Sequence, residues 1–341
     1  MFDSPLLVFV IYLSLPLIFL LNARKTTKKK FFYWLSCAFL VWLAASRTIE
    51  IGSDTVSYHE SYDYKTYLLT SQFELSWIVI CTFGNWMQWS FHNLLALMSL
   101  LTLVPLYMVI FKVSKRPYIS LFLYITTGFY FLSFNIMRQT IAISFFALAV
   151  VYFWEKSYMK TTFSALIAVA FHYTCLLMFP ILFFISHLNR FSHRFKVNLL
   201  FLTLGTGFLF SNVVNWLMSF LPFEKYAVYS DYAVDKNANI LALFLVNVLV
   251  NMQCYLCIRE RKWTVLTNIY YASVVLVNIF GYNIGINRFI YYLSVFSILA
   301  IPEIIAGQKY RYSNLAVYVV FYNLFFYIFS ILRNTSGVFP Y

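Results

Sequence analysis

Apolar runs of roughly 15 to 20 residues, separated by short polar stretches, recur from one end of this chain to the other. The runs fall at about residues 5–22, 31–46, 92–111, 118–134, 139–154, 158–171, 174–187, 197–219, 239–258, 264–281, 289–306 and 313–331. Roughly 20 apolar residues cross a bilayer as a helix, so the pattern predicts an all-α polytopic membrane protein with about 12 transmembrane helices. The polar-in, apolar-out alternation of an outer-membrane barrel is absent. No internal repeat or low-complexity segment stands out, and residues 1–341 are read as a single transmembrane domain. Two stretches interrupt the pattern, at about 47–91 and 220–238. The second half of the first, from Glu74 to Trp89, is apolar and Trp-rich. It is predicted to lie as a helix in the outer interface, because a further span there would reverse the sidedness of every later loop.

Composition agrees with a membrane protein. Hydrophobic residues make up 62% of the chain and charged residues only 11%, where a soluble domain carries roughly 25%. A formal net charge of +13 would suggest nucleic acid in a soluble protein, but here its distribution reports orientation. Starting with "ARKTTKKK" (23–30) on the cytoplasmic side, alternation of the spans places 18 of the 25 lysines and arginines there. The outer side then holds Arg47, Lys65, Arg138, Lys225, Lys236, Arg288 and Arg333, together with nine of the twelve acidic residues and both termini. Cys254 and Cys257 form a lone C-x-x-C inside an apolar run, read as packing. No metal-ligand spacing and no cofactor motif are found.

The outer side also carries the candidate chemistry. "SFNIMRQTIA" (133–142) sets polar groups at the junction of two apolar helices. On a continuous helix Asn135, Arg138, Gln139 and Ala142 would follow the i, i+3, i+4, i+7 spacing and share one face. An arginine inside a membrane costs energy unless it faces water, an anion or a carboxylate, so Arg138 points either to an anionic ligand or to Glu50 or Asp54. Arg47 ends the second span and Arg288 opens the eleventh. If all three arginines converge, they form a basic outer cavity suited to a lipid-linked phosphate or pyrophosphate. His172 sits between two runs each too short to span, placing it at a turn. There it is either satisfied structurally or acts as a general base. The loop "EIGSDTVSYHESYDY" (50–64) offers Glu50 and Asp54 as reserve bases, Gly52 as a tight turn, and Tyr58 and Tyr62 as sugar-stacking faces. Glu74 and Trp77, one helical turn apart, are candidates to line the same cavity, and Tyr229 in the second loop is either a further candidate sugar contact or an interface anchor.

"GSDTVSYHESY", Glu74 with Trp77, "FNIMRQTIA" and "HYT" (His172 to Thr174) occur in an order that resembles the EpsG family of bacterial polysaccharide proteins, related to Wzy-type polymerases. That resemblance implies a glycosyltransferase in the bacterial inner membrane with its active site facing the periplasm. It would transfer a growing glycan from undecaprenyl pyrophosphate to the non-reducing end of an incoming lipid-linked repeat unit. In this reading Arg138, Arg47 and Arg288, with Gln139 and Asn135, hold the pyrophosphates, and His172, with Asp54 or Glu50 in reserve, takes the proton. Tyr58, Tyr62, Glu74, Trp77 and Tyr229 contact sugars. The partners are the lipid-linked oligosaccharide and membrane lipid, with a chain-length regulator as a further candidate. A lipid-linked oligosaccharide flippase or transporter, an O-antigen ligase and a membrane O-acyltransferase are the alternatives. A flippase would carry cationic groups on both leaflets, and an acyl donor would leave the outer arginines unexplained.

Overall fold

In hydrocarbon a helix satisfies its own backbone hydrogen bonds, so long apolar runs without interior breakers become helices. The structure, a computed structural model, describes residues 5–25, 29–68, 74–206, 240–259, 263–280, 284–307 and 314–332, and no strand occurs among them. They group into two compact units, residues 1–176 with 323–341 and residues 177–322.

The first unit contains α1 (Pro5–Lys25), α2 (Lys29–Ala45), α3 (Thr55–Asp63), α4 (Leu75–Trp86), α5 (Phe91–Val113), α6 (Pro117–Thr126), α7 (Phe129–Asn135), α8 (Met137–Trp154) and α9 (Tyr158–Phe171). Helix α8 is its centre. Nearly every side chain from Met137 to Tyr152 is buried, and the helix packs against both α5 and α9. Around it, polar side chains close the interhelical gaps: Tyr130 donates to the Leu40 carbonyl at 2.7 Å and Tyr33 to the Tyr107 carbonyl at 2.7 Å. Phe131 stacks on Tyr327 at 5.9 Å within this unit.

The second unit contains α10 (Met178–Ser186), α11 (His193–Thr203), α12 (Ile240–Arg259), α13 (Val265–Phe280), α14 (Ile284–Ser294), α15 (Ser297–Ala306) and the first part of α16 (Asn314–Leu332). Asn251 and Asn278 exchange amide hydrogen bonds of 2.7 and 2.8 Å, and Asn278 also donates to Thr203 Oγ1 at 3.0 Å. This buried network joins α11, α12 and α13, the role polar side chains play between membrane helices. Cys254 and Cys257 are buried, unbonded packing residues of α12.

A helix occupies the described part of every predicted apolar segment. Among the described residues four helical segments are long and apolar enough to cross a membrane: Phe91–Val113, Met137–Trp154, Asn287–Ala306 and Asn314–Leu332. The bent pair α6–α7 makes a fifth. The chain is therefore a multi-pass helical membrane protein, while the segments at 158–171 and 174–187 form short helices. The second predicted outer loop (about 220–238), including Tyr229, lies outside the described residues.

Two expectations are refined by backbone geometry. The segment 118–134 is not one straight helix; it bends by 48° between α6 and α7. Gly128 stands at the bend with φ +85, a left-handed conformation that glycine adopts without Cβ strain. The helix also does not run through the polar junction. Ile136, with φ −98 and ψ 54, separates α7 from α8. Asn135 ends one helix while Arg138, Gln139 and Ala142 begin the next, so the proposed common face of four residues does not form.

Candidate functional site

The loop between α2 and α3 docks onto this break. Gly52 has φ +92, and a Cβ there would lie 2.7 Å from the Phe134 carbonyl oxygen, 2.7 Å from Thr55 Oγ1 and 3.0 Å from Asn135 Oδ1. The predicted tight turn is present, and its glycine permits contact of backbone on backbone. Beside it, the Ser53 amide donates to Asn135 Oδ1 at 2.7 Å and the Thr55 hydroxyl lies 3.1 Å from the Phe134 carbonyl. Thr55 thus serves a carbonyl at the end of α7 that has no partner within its own helix. We expect Gly52→Ala to cost roughly 1–3 kcal/mol through overpacking and roughly 1–2 kcal/mol more through the positive φ. Thermal unfolding of the purified protein in detergent measures this. An unchanged midpoint would mean that the loop does not seat against α7 as described.

The break aims Arg138 at a carboxylate from another element. Its Nη1 pairs with Oε2 of Glu74, the residue immediately before α4, and the other carboxylate oxygen lies 2.8 Å from Nδ1 of His172. The three side chains are only 12 to 22% exposed. His172 is the residue at which α9 stops. Its backbone is extended (φ −158, ψ 103), and a short 3₁₀ turn, Tyr173–Leu177, follows. The predicted turn position of His172 is thus observed. The start of α4 is fixed to the end of α9 by the Ser76 hydroxyl, which donates to the Ala170 carbonyl at 2.7 Å. One carboxylate therefore joins a guanidinium and an imidazole that come from three separated parts of the chain.

Aromatic residues back this cluster. The Tyr58 hydroxyl lies 3.4 Å from Arg138 Nε, and its ring centroid lies 5.7 Å from the guanidinium carbon. Trp77, fully buried, packs its ring 4.9 Å from that of Tyr58. Tyr62 is also buried, and its hydroxyl donates to the Trp89 carbonyl at 2.9 Å. Burial, with smaller contributions from Cys81, Tyr67 and Asp63, raises the Tyr62 hydroxyl above its ordinary pKa, keeping it a neutral donor. Tyr58, Tyr62 and Trp77 are the predicted sugar contacts. Tyr58 and Trp77 pack beside Arg138, while Tyr62 packs near Phe91, with 6.3 Å between ring centroids.

Other predicted residues fall in varied places. The carboxylate on Arg138 is Glu74, in place of the expected Glu50 or Asp54, because the turn that carries those two residues is committed to Phe134 and Asn135. Glu50 is exposed, and Asp54, half-buried, accepts from the Ser53 hydroxyl at 3.0 Å. Gln139 is buried on the first turn of α8, and Asn135 is committed to Ser53. Arg47 is 1% exposed, with its guanidinium turned back onto the end of α2, which it follows, and onto the α7–α8 break. Arg288 belongs to the second unit, half-buried on α14. Among the described residues no three His, Cys, Asp or Glu side chains are grouped as metal ligands.

Two signals were available in the sequence for the features that pattern reading missed. Ser53 and Thr55 closely follow Gly52, as in loops that donate to a neighbouring segment. Glu74 precedes an apolar helix, where a carboxylate is favoured by the helix N-terminus.

Fold and site together define a class: a multi-pass helical membrane protein carrying a partly enclosed guanidinium–carboxylate–imidazole cluster beside helix ends. The model of the EpsG family matches residues 30–341, nearly the whole chain, and the chain belongs to that family, one of the Wzy-type polymerase families. Comparisons with curated proteins and with solved structures found no match. Membership gives the protein a role in polysaccharide polymerisation at a membrane.

Proposed function

We propose that the protein is a glycosyltransferase that joins lipid-linked oligosaccharide repeat units at the periplasmic face of the bacterial inner membrane. The donor is the growing glycan on undecaprenyl pyrophosphate, and the acceptor is a hydroxyl at the non-reducing end of an incoming lipid-linked unit. The single observation that supports this most is the Glu74 carboxylate held between Arg138 and His172. A carboxylate on Nδ1 fixes the tautomer of a neutral imidazole and stabilises the imidazolium that forms when the ring takes a proton. With Nδ1 committed to Glu74, Nε2 is the nitrogen that receives the acceptor's proton.

The acceptor oxygen then bonds to the anomeric carbon of the donor glycan, and the bond from that carbon to the pyrophosphate oxygen breaks. The electron pair leaves with the pyrophosphate, whose charge increases. A guanidinium carries five N–H donors in a rigid fork, so Arg138 can hold Glu74 and still meet that charge. Pyrophosphate is already a competent leaving group, so the site has to supply only charge stabilisation and one base.

Purified protein in detergent, supplied with a defined lipid-linked repeat and nothing else, is expected to produce a ladder of longer lipid-linked chains by gel or mass spectrometry. Repeat units that remain single would overturn the reading. Detergent removes any membrane to cross, so a transporter would give no product in this assay.

A further inference from the structure

Arg47 is among the largest fully enclosed side chains of the protein, at 1% exposure. Its partners have a definite pattern. Nη1 donates to the Ala44 carbonyl at 2.5 Å, at the end of α2, where a cation is favoured by the unpaired carbonyls of a helix C-terminus. The guanidinium carbon lies 4.5 Å from the centroid of the Phe134 ring, and Nη2 lies 3.4 Å from the Met137 sulfur. Phe134 and Met137 are the residues on either side of Asn135 and Ile136, the dipeptide at which α7 gives way to α8. The next residue is Arg138.

From these contacts we infer that Arg47 is a positioning residue: it clamps the α7–α8 break and thereby aims Arg138 at Glu74, without itself contacting the substrate. The break has no proline or glycine to hold it, so its geometry depends on neighbours. Gly52 lets the loop approach it closely, the Ser53 amide bonds Asn135 Oδ1 and the Thr55 hydroxyl the Phe134 carbonyl, and Arg47 holds it through the two side chains that bracket it. Planarity suits Arg47 to this task. One face covers the Phe134 ring while the edges reach a carbonyl and a sulfur, which an ammonium could not do together. The inference rests on Arg138 and His172 being the reacting site of the proposed function, and it replaces the expectation that Arg47 is itself a pyrophosphate ligand.

The test separates position from binding. Arg47→Met retains bulk and apolar contact in an apolar surround but removes the guanidinium. We expect kcat to fall roughly 100-fold, as for a misplacement of about an ångström. The KM for the lipid-linked repeat should stay within about threefold of the wild type, as when uniform binding is retained. Phe134→Leu, which removes the ring beneath the guanidinium, should lower kcat in the same direction with KM again held. Arg47→Lys should retain more kcat than Arg47→Met, because it keeps the charge and a donor for Ala44.

Calorimetric titration with inorganic pyrophosphate supplies a readout that does not depend on turnover. Arg47→Met should bind it as wild type does, while Arg138→Ala should lose it. Hydrogen exchange at residues 136–140 should quicken in Arg47→Met. If Arg47→Met weakens pyrophosphate binding as far as Arg138→Ala does, Arg47 is a ligand and the inference fails. Wild-type kcat in Arg47→Met would overturn it equally. If Arg47→Met does not purify as a monodisperse protein, Arg47→Lys and Phe134→Leu decide on the same kcat and KM criteria. If the wild-type protein makes no polymer at all, the proposed reaction fails, while titration and exchange still judge the role of Arg47.

Discussion

Replacing Arg138 by alanine is expected to abolish long-chain product while single repeat units continue to appear on their lipid carrier. Two losses combine. The developing charge on the departing pyrophosphate loses its guanidinium, and removal of one such donor from an enclosed site costs roughly 100- to 1000-fold in kcat. Glu74 also loses its counter-charge in a setting where it is only 12% exposed. Breaking a buried pair by deleting one partner costs about 3–5 kcal/mol, so some loss of stability should accompany the loss of activity. A second substitution separates the two effects. Arg138→Ala combined with Glu74→Gln removes the stranded charge and should recover most of the unfolding temperature without restoring polymer. Chain lengths unchanged in Arg138→Ala, read from a polysaccharide gel of cells carrying only the variant, would remove this residue from the mechanism.

Replacing His172 by alanine should lower kcat roughly 100- to 10 000-fold, the usual contribution of a general base. The effect should be accompanied by a change in the shape of the pH–rate profile. The acid limb, where protonation of the imidazole removes the base, should disappear from the residual activity. Glu74→Ala is expected to approach the same loss, since it orients the imidazole and supports the imidazolium. The double variant His172→Ala, Glu74→Ala should then be little worse than the more damaging single change, as expected for residues that act as a unit. Losses that multiply instead would show that Glu74 serves Arg138 alone. Near-normal polymerisation in His172→Ala would return the histidine to a structural role, as the residue that ends α9.

Much of the architecture could be read from hydropathy because burial in lipid is a one-dimensional requirement. A segment such as 92–111 must be apolar along its length, and α5 follows it closely. The turn at His172 was legible for a related reason: neither flanking run is long enough to cross a bilayer unbroken. The break at Ile136 was not legible. "FNIMRQ" contains no proline or glycine, its local propensity is compatible with a helix, and helical periodicity therefore placed Asn135 with Arg138. The interruption is held by Arg47, Gly52, Ser53 and Thr55, which are distant in sequence. The partner of Arg138 was equally hidden. Several carboxylates are predicted on the same side as Arg138, and charge alone does not distinguish Glu50 or Asp54 from Glu74.

The order of residues by itself determined that this chain is a bundle of apolar helices. It also singled out Arg138 and His172, since an arginine at the end of an apolar run and a histidine at a forced turn are exceptions that composition makes visible. Only the tertiary structure decided that these two meet on Glu74, that Tyr58 and Trp77 stand behind them, and that Arg47 grips the break instead of the pocket. Hydrophobicity acts on each segment separately and leaves a periodic trace. The meeting of single side chains depends on how helices end and how loops dock, and that is fixed by hydrogen bonds and close contacts between segments far apart in the chain.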